Sequence, residues 1–577
     1  MQKIIRRRDP VTTELSDGSS VHPLLARVYA GRGVSCAEQL NLALDQLLPP
    51  EGLLNAHLAA ALLADALAGD KKILVVGDFD ADGATSTTLA VSALRAFGAA
   101  RVDFLVPNRF EYGYGLTPEI VALAAREQPD LIITVDNGIS SLEGVEAARE
   151  LGIATLITDH HLAGRELPQA DVIVNPNQPG CTFASKNLAG VGVIFYVMLA
   201  LRAELRSRNW FDSRPQVNLG HYLDLVALGT VADVVPLDYN NRILVAAGLA
   251  RIRAGQARPG IHALLEVGSR PYRSVVASDL GFAVGPRINA AGRLEDMSIG
   301  IGCLLSEDMA EAAALAGRLQ QLNLDRRVIE QGMQDEALQI LAKLPLQAEQ
   351  EPPLAMTLYQ SGWHQGVIGI LASRIKDRLH RPVIAFADGD PGQIKGSARS
   401  IPGIHIRDIL DAVATRHPGL ISKFGGHAMA AGLTLPLEAY DAFATAFTEE
   451  VARHAQDVEL QAVIASDGEL SERDFQLELA NELRYAGPWG QHFPEPVFDG
   501  RFTIVSQRLV GEKHLKLVLS PPGSARVLDA IAFNVDLDIW PDQAIEQIDI
   551  AYRLDVNEFR GQRTVQLVVE HLVPVRS

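Results

Sequence analysis

Residues 73–87 read ILVVGDFDADGATST, and the architecture can be worked outward from them. The opening ILVV is short, apolar and mostly β-branched, the composition of a strand buried on both faces of a parallel sheet. Asp78, Asp80 and Asp82 follow at alternate positions, then Gly83 and a helix-like segment over 84–97. Carboxylates therefore gather where a strand gives way to a helix, the end at which open α/β sheets bind ligands. Crowded acids repel one another unless a cation neutralises them, so a hard divalent metal is expected here. The alternative is an acidic, solvated turn, which would leave three charges on the end of a buried strand at a high desolvation cost. An EF-hand is excluded, because its loop needs a preceding helix and a Glu at the twelfth position; here a strand precedes, and the twelfth residue from Asp78 is Leu89. A phosphate-binding P-loop is excluded too, since no Lys-Ser or Lys-Thr follows Gly83.

Downstream the pattern alternates. Residues 101–107 read as a strand and 118–127 as a helix. A strand over 131–135 ends in Asp136-Asn137-Gly138, and 142–151 is helical. A strand over 153–158 ends in Asp159-His160-His161, and 171–174 is a further strand. This βαβα alternation predicts a mostly parallel, doubly wound sheet. Three separate strands would then deliver Asp80 and Asp82, Asp136, and His160 and His161 to one rim. Segments 188–206 and 221–229 read as helices, and Asp233 follows among apolar residues in TVADVVP. It is either a buried carboxylate of the same site or a helix-capping, core hydrogen-bonding residue.

Further along, GPRINAAGR (285–293) sets Arg287, Asn289 and Arg293 among small residues, which allow close approach, while arginine suits phosphate. Residues 299–344 lack proline and predict one or two long helices joining two halves. From 354 strands and helices alternate again, ending in a glycine-rich turn, Gly425-Gly426-His427. After 457 the pattern changes to five strands, at 502–510, 513–519, 527–534, 548–556 and 564–569, which suggests a small barrel of the OB type. Its basic segments, Arg501/Arg508/Lys513/Lys516 and Arg560/Arg563, are either solvated edge charge or a strip for nucleic acid. The expected division is an N-terminal helical or irregular preface (1–50), a catalytic α/β lobe (51–298), connecting helices (299–350), a second α/β lobe (351–456) and the barrel (457–577).

The chain of 577 residues carries a net charge of −18, which argues against a protein that coats nucleic acid indiscriminately. The charge is uneven, however: residues 361–430 hold nine Lys/Arg against five Asp/Glu. Charged content of 21% beside 47% hydrophobic content marks a globular chain. No apolar run is long enough for a bilayer, and no apolar core follows the basic N-terminus, so neither a membrane span nor a secretory signal is expected. Cys36, Cys181 and Cys303 stand far apart, which fits a reducing, cytoplasmic setting and no zinc site. No coiled-coil seam or repeat appears, and a monomer is expected.

Several aspartates with one imidazole suit Mn²⁺ or Mg²⁺ better than zinc. The set exceeds the needs of one ion, and two ions about 3.5–4 Å apart would use it to activate water for displacement at phosphorus. Hydrolysis of a phosphoric ester or anhydride is the reaction class that follows.

Four motifs, VVGDFDADGATST, VDNGIS, TDHH and GTVADVVPL, together resemble those of the DHH phosphoesterase family, and SARS with GGHAMAAG resembles its accompanying DHHA1 domain. The length, GPRINAAGR and GPWGQHFPEPVFDG (487–500) resemble the branch of that family made up of single-strand-specific 5′→3′ DNA exonucleases. The resemblance implies two α/β lobes and a C-terminal OB-fold, with release of 5′-mononucleotides in recombination and repair. It implies that Asp80, Asp82, Asp136, His160 and Asp233 ligate metal, with Asp136 bridging and Asp78 close by. His161 would stabilise the transition state or act as acid. Arg109, Arg287, Ser397 and Arg399 would form a 5′-phosphate pocket, with Asn289 and His427 also on the substrate. Single-stranded DNA-binding protein and a RecQ-type helicase are the implied partners. Two alternatives stay open: a phosphodiesterase of short oligonucleotides or cyclic dinucleotides, and a non-catalytic DNA-holding scaffold.

Overall fold

The computed structural model describes residues 3–11, 15, 21–107, 115–343, 353–456, 458–537 and 539–575. They form two compact units, one of residues 7–323 with 466–577, the other of the residues up to 6 with 324–465. The N-terminal preface holds a short strand, β1 (Ile4–Arg7), the helix Pro23–Ala30 and three short 3₁₀ turns.

The first unit is built on five parallel strands: β2 (Ile73–Gly77), β3 (Val102–Leu105), β4 (Leu131–Val135), β5 (Ala154–Thr158) and β6 (Val172–Val174). Their order across the sheet is β3-β2-β4-β5-β6. Side chains alternate across the strand, so β2 serves two cores at once. Ile73 and Val75 join a cluster with Ala84, Leu94, Val193 and Val197, whereas Leu74 and Val76 join one with Ile120, Val121 and Val145. Both faces are covered by helices, which is why ILVV lacks polar interruption. Ala81–Phe97 is a helix that starts three residues before the expected position, because Asp80 caps it. The segment 285–293 is also helical, within Gly285–Leu294, and follows a π-helical turn, Leu280–Val284.

The chain leaves this unit within a single 35-residue helix, Met309–Lys343, preceded by the short helix Ser298–Leu305. The second unit holds β7 (Met356–Tyr359), β8 (Val383–Asp388), β9 (Gln393–Arg399), β10 (Lys423–Gly426) and β11 (Ala430–Pro436). They are ordered β10-β11-β9-β8-β7, with only β7 and β8 parallel. Strand β12 (Val463–Ser466) pairs with β1.

The chain then returns to the first unit. There β13 (Phe498–Val510), β14 (His514–Ser520), β15 (Leu528–Ala532), β16 (Gln547–Phe559) and β17 (Gln562–Pro574) close a barrel in the order β13-β14-β15-β17-β16. The parallel β15–β17 pair closes an otherwise antiparallel ring, and the five-stranded barrel matches the expected OB-fold. Among the described residues no single helix is long and apolar enough to cross a membrane.

Candidate active site

Strands β2 and β4 are neighbours, but the chain visits β3 on the far side of β2 between them. Their carboxyl ends therefore flank the point where strand order reverses, and crossover segments diverge there to leave a crevice. Asp78 follows β2, and its Oδ1 accepts the Phe79 amide at 2.7 Å. Asp80 caps the helix Ala81–Phe97, its Oδ1 accepting the amides of Asp82 and Gly83 at 2.9 and 3.0 Å. Asp82 lies in the first turn, only 1% exposed, and accepts the amides of Gly190 and Val191 at 2.6 and 3.0 Å. These amides begin the helix Gly190–Ser207, whose positive end favours the charge. Asp136 follows β4 in the left-handed region, at φ +63°. Asn137 ties the two strand ends together by donating to the carbonyls of Val76 and Val135 at 3.2 and 2.9 Å. A Cβ on Gly190 would stand 2.6 Å from the Asp136 Cβ, so only glycine lets that helix start so close.

His160, beyond β5, completes the set. Its Nε2 is 3.0 Å from Asp136 Oδ1, 3.5 Å from Asp233 Oδ2 and 4.0 Å from Asp82 Oδ2. Asp233 ends the helix Leu223–Ala232, so it belongs to the cluster instead of being only a cap. The donor atoms fall into three overlapping groups, each within 4.8 Å: Asp78, Asp80 and Asp136; Asp82, His160 and Asp233; and Asp136, His160 and His161. Asp136 is the member that connects the first group to the histidines.

The electrostatics fit a cation. Burial, with Asp80 adding repulsion, pushes Asp82 up to about 7. Burial and the charges of Asp82, Asp80, Asp78 and Asp233 push Asp136 well above the carboxylate range. Asp233 is raised likewise, by burial and then by Asp82 and Asp80. Oxygen-rich, mutually repelling and preorganised by backbone amides, these residues fit one or two hard divalent ions.

His161 has a different role. Its Nδ1 is 2.8 Å from Asp159 Oδ1, and its ring lies 4.4 Å from that of His160. Asp159 is 1% exposed and is held further by the amides of Ile139, His160 and His161 at 2.9, 2.7 and 3.1 Å. Burial pulls the imidazole down, but the bond and charge of Asp159, then Asp233 and Asp78, outweigh it and hold His161 at about 9. The same partnership depresses Asp159 against its own burial. Sequence placed Asp159 at the strand end without a role; the D-H-H spacing was the available signal.

The expected substrate residues divide. Asn289 Oδ1 accepts the Ala81 amide at 2.7 Å, which makes it a residue that positions the acidic loop. Gly292 on the same helix has a reason to be glycine, since a Cβ there would stand 1.9 Å from the Phe79 carbonyl oxygen. Arg287, expected to be open to phosphate, is 7% exposed, and its guanidinium donates to the carbonyls of Ala283 and Val267. It ties the π-helical turn to the end of the helix Pro259–Val267. In the other unit Arg399 donates to Ser397 Oγ at 3.0 Å. Both press against Gly369 in the first turn of the helix Ile368–Leu379, where a Cβ would lie 2.8 Å from Arg399 Nη2. His427 is exposed in the β10–β11 turn. Arg109 lies outside the described residues. On the barrel, Arg501 pairs with Asp549 at 2.8 Å, Lys516 with Asp529 at 3.5 Å, and Arg563 donates to Asn481. Arg508, Lys513 and Arg560 are exposed, as is Phe533, whose ring meets His514 at 5.2 Å.

Three domain families match the chain: the DHH family N-terminal domain over 72–230, the DHHA1 domain over 351–453 and the RecJ OB domain over 466–571. The single-stranded-DNA-specific exonuclease RecJ of Dickeya dadantii (strain 3937) is 56% identical over 99% of each chain. Among solved structures, RecJ of Thermus thermophilus in complex with Mn²⁺ superposes with a TM-score of 0.81 at 31% identity, over 100% of this chain and 80% of that one. Its Mg²⁺ complex gives 0.75 at 29% identity, over 100% and 79%. With the acidic cluster at the switch point, the barrel in its place and relatives matched end to end, the chain belongs to the RecJ family of single-stranded-DNA-specific exonucleases.

Proposed function

We propose that the chain hydrolyses phosphodiester bonds of single-stranded DNA from the 5′ end and releases 5′-mononucleotides, in recombination and repair. The observation that carries this is the convergence of five aspartates and His160 at the switch point, with Asp136 common to both sides of the cluster. Asp78, Asp80, Asp82, Asp136, His160 and Asp233 would hold Mn²⁺ or Mg²⁺, which supplies Lewis-acid activation of water and neutralises charge on the scissile phosphate. His161, pinned at Nδ1 by Asp159 and protonated near neutrality, offers the Nε2 proton to a phosphoryl or leaving oxygen. Ser397 and Arg399, beside a helix N-terminus, are suited to a terminal phosphate, and a pocket that takes only such a phosphate selects an end.

The barrel supplies the grip. OB-folds bind oligonucleotides on strands two and three and the flanking loops. Around those strands Arg508 at the end of β13, Lys513 in the β13–β14 turn, Phe533 just after β15 and Arg560 in the β16–β17 turn are exposed, offering an aromatic surface for stacking and cations for strand phosphates. The reading also includes single-stranded DNA-binding protein and a RecQ-type helicase as partners and the cytoplasm as location; pull-downs with each purified partner test the former. The activity itself is tested by a time course on one strand labelled at either end, with Mn²⁺, Mg²⁺ or EDTA. Immediate metal-dependent release of mononucleotides from the 5′ label alone is expected. Cutting of only the shortest fragments points to an oligonucleotide phosphodiesterase, and binding without cutting to a scaffold.

A further inference from the structure

A cleft lies between the helix Tyr239–Arg253, residues 276–278 and the helix Leu477–Tyr485 with its following turn, Gly487-Pro488-Trp489. It encloses about 150 Å³. Arg253 and Arg484 both face the ring of Tyr485, at 5.0 and 6.0 Å from its centre. Among the described residues the one side-chain hydrogen bond of Arg253 runs from Nε to the Val275 carbonyl, at 2.8 Å. That bond and the ring fix the guanidinium while its two terminal nitrogens remain for a ligand.

The carboxylates around it are engaged elsewhere. Glu495 and Glu570 share Arg553, Asp279 is held by Arg270 at 3.2 Å, and Asp555 lies 3.7 Å from Arg484. Among the described residues no carboxylate forms an ion pair with Arg253, although the charge of Asp279 reaches it, so this half-buried guanidinium keeps its terminal nitrogens without an ion-pair partner. Burial draws its affinity for the proton down, Arg484 adds to this, and Tyr485 and Asp279 oppose it. A partly desolvated, oriented guanidinium with no ion pair of its own can seat an anion.

We propose that this cleft seats a nucleotide phosphate on Arg253, with Arg484 as the second cation and Tyr485 holding both in place. The seat takes its phosphate either from single-stranded DNA beyond the cutting site or from a free mononucleotide. The first source rests on the single-strand reading above; the second does not. None of these residues belongs to the metal cluster or to the Ser397–Arg399 pair, so the site is additional to the catalytic one.

The test measures equilibrium binding of a dT20 strand and of dTMP to the full chain in EDTA, where nothing is cut. Wild type is compared with Arg253→Gln and with Arg484→Gln, the latter chosen because its side chain makes no hydrogen bond of its own among the described residues. Thermal melts accompany each variant, and metal-dependent cutting of a tetranucleotide checks the activity separately. A weaker dT20 complex for both variants, about 5- to 10-fold for Arg253→Gln, with dTMP binding unchanged, supports the strand as source. For single strands the slope of log affinity against log salt should then flatten by about 0.7, as for one lost phosphate contact. Loss of dTMP binding in both variants supports the free nucleotide. Affinities for both probes within 2-fold of wild type in variants that melt like wild type overturn the seat. Failure of tetranucleotide cutting in all three proteins would overturn the exonuclease reading and leave the binding result standing by itself.

Discussion

Asp159 Oδ1 meets His161 Nδ1 at 2.8 Å, and this contact fixes both the tautomer and the charge of the imidazole. Nδ1 carries the proton shared with the carboxylate, so Nε2 is the nitrogen presented outward. The raised affinity for a second proton, at about 9, keeps the ring cationic across neutral pH.

Asp159→Asn should therefore lower kcat by about 10- to 100-fold, the usual loss when the partner of a functional histidine is removed. Without the carboxylate the His161 pKa falls toward its ordinary value of about 6.5. A reaction that needs the protonated ring then loses rate from lower pH, so the alkaline limb of the kcat profile moves acidward. An unmoved limb with a reduced plateau would mean that Asp159 acts on packing alone.

The metal-free protein should lose stability as pH rises. Asp82 is raised from an ordinary 3.8 to about 7, so the folded state binds its proton more tightly than the unfolded chain does. That contribution is fully present below about 3.8 and is gone once pH passes about 7. Asp136 and Asp233 are shifted in the same direction, and His161, raised to about 9, also loses its contribution with rising pH. In EDTA, melting should come earlier at pH 8.5 than at pH 5.5. Saturating Mn²⁺ should remove most of the difference, since a bound cation replaces the protons. Scanning calorimetry at the two pH values, with and without metal, decides this.

Asp136→Asn separates function from folding. Asparagine tolerates the left-handed φ of +63° found there and removes one of the repelling charges. Cutting should fall by 10²–10³-fold or more, on the order of losing a preorganised transition-state contact. In EDTA at pH 8 the variant should nevertheless melt above wild type by at least ~2 °C, roughly what 1 kcal/mol gives in a large domain. A lower melting point would show that Asp136 holds the fold together instead of straining it.

Much of this site was legible because it sits on local patterns. A β-branched run, acids at alternate positions and a small-residue helix start are all contiguous in the chain. The strand ends at Asp78, Asp136 and His160 follow from them, as does the sheet. What was not legible depends on distant packing. Asn289 reaches the Ala81 amide across 208 residues of sequence, and nothing near Asn289 announces it. GPRINAAGR reads as small residues that allow close approach around arginines suited to phosphate. It is helical because proline suits the first turn and Gly292 lets the helix lie on the Phe79 carbonyl. Arg287 is buried against the carbonyls of Ala283 and Val267, though its charge alone reads as exposed.

Phe533→Ala tests whether the barrel grips the strand. Phe533 is 53% exposed at the end of β15, with His514 edge-on to it, so its removal leaves no cavity in the barrel core. Stacking of a base on an aromatic ring is worth about 1–3 kcal/mol, which corresponds to roughly 5- to 150-fold in binding. KM for a strand long enough to reach the barrel should rise within that range, whereas kcat and the rate on tetranucleotides should hold, because the metal cluster is untouched. Arg508→Gln should raise the same KM and also flatten its salt dependence, since it removes a charge and not a stacking surface. If Phe533→Ala raises KM equally for long and short strands, the ring acts through the fold of the unit that the barrel shares with the catalytic sheet, and the grip lies elsewhere.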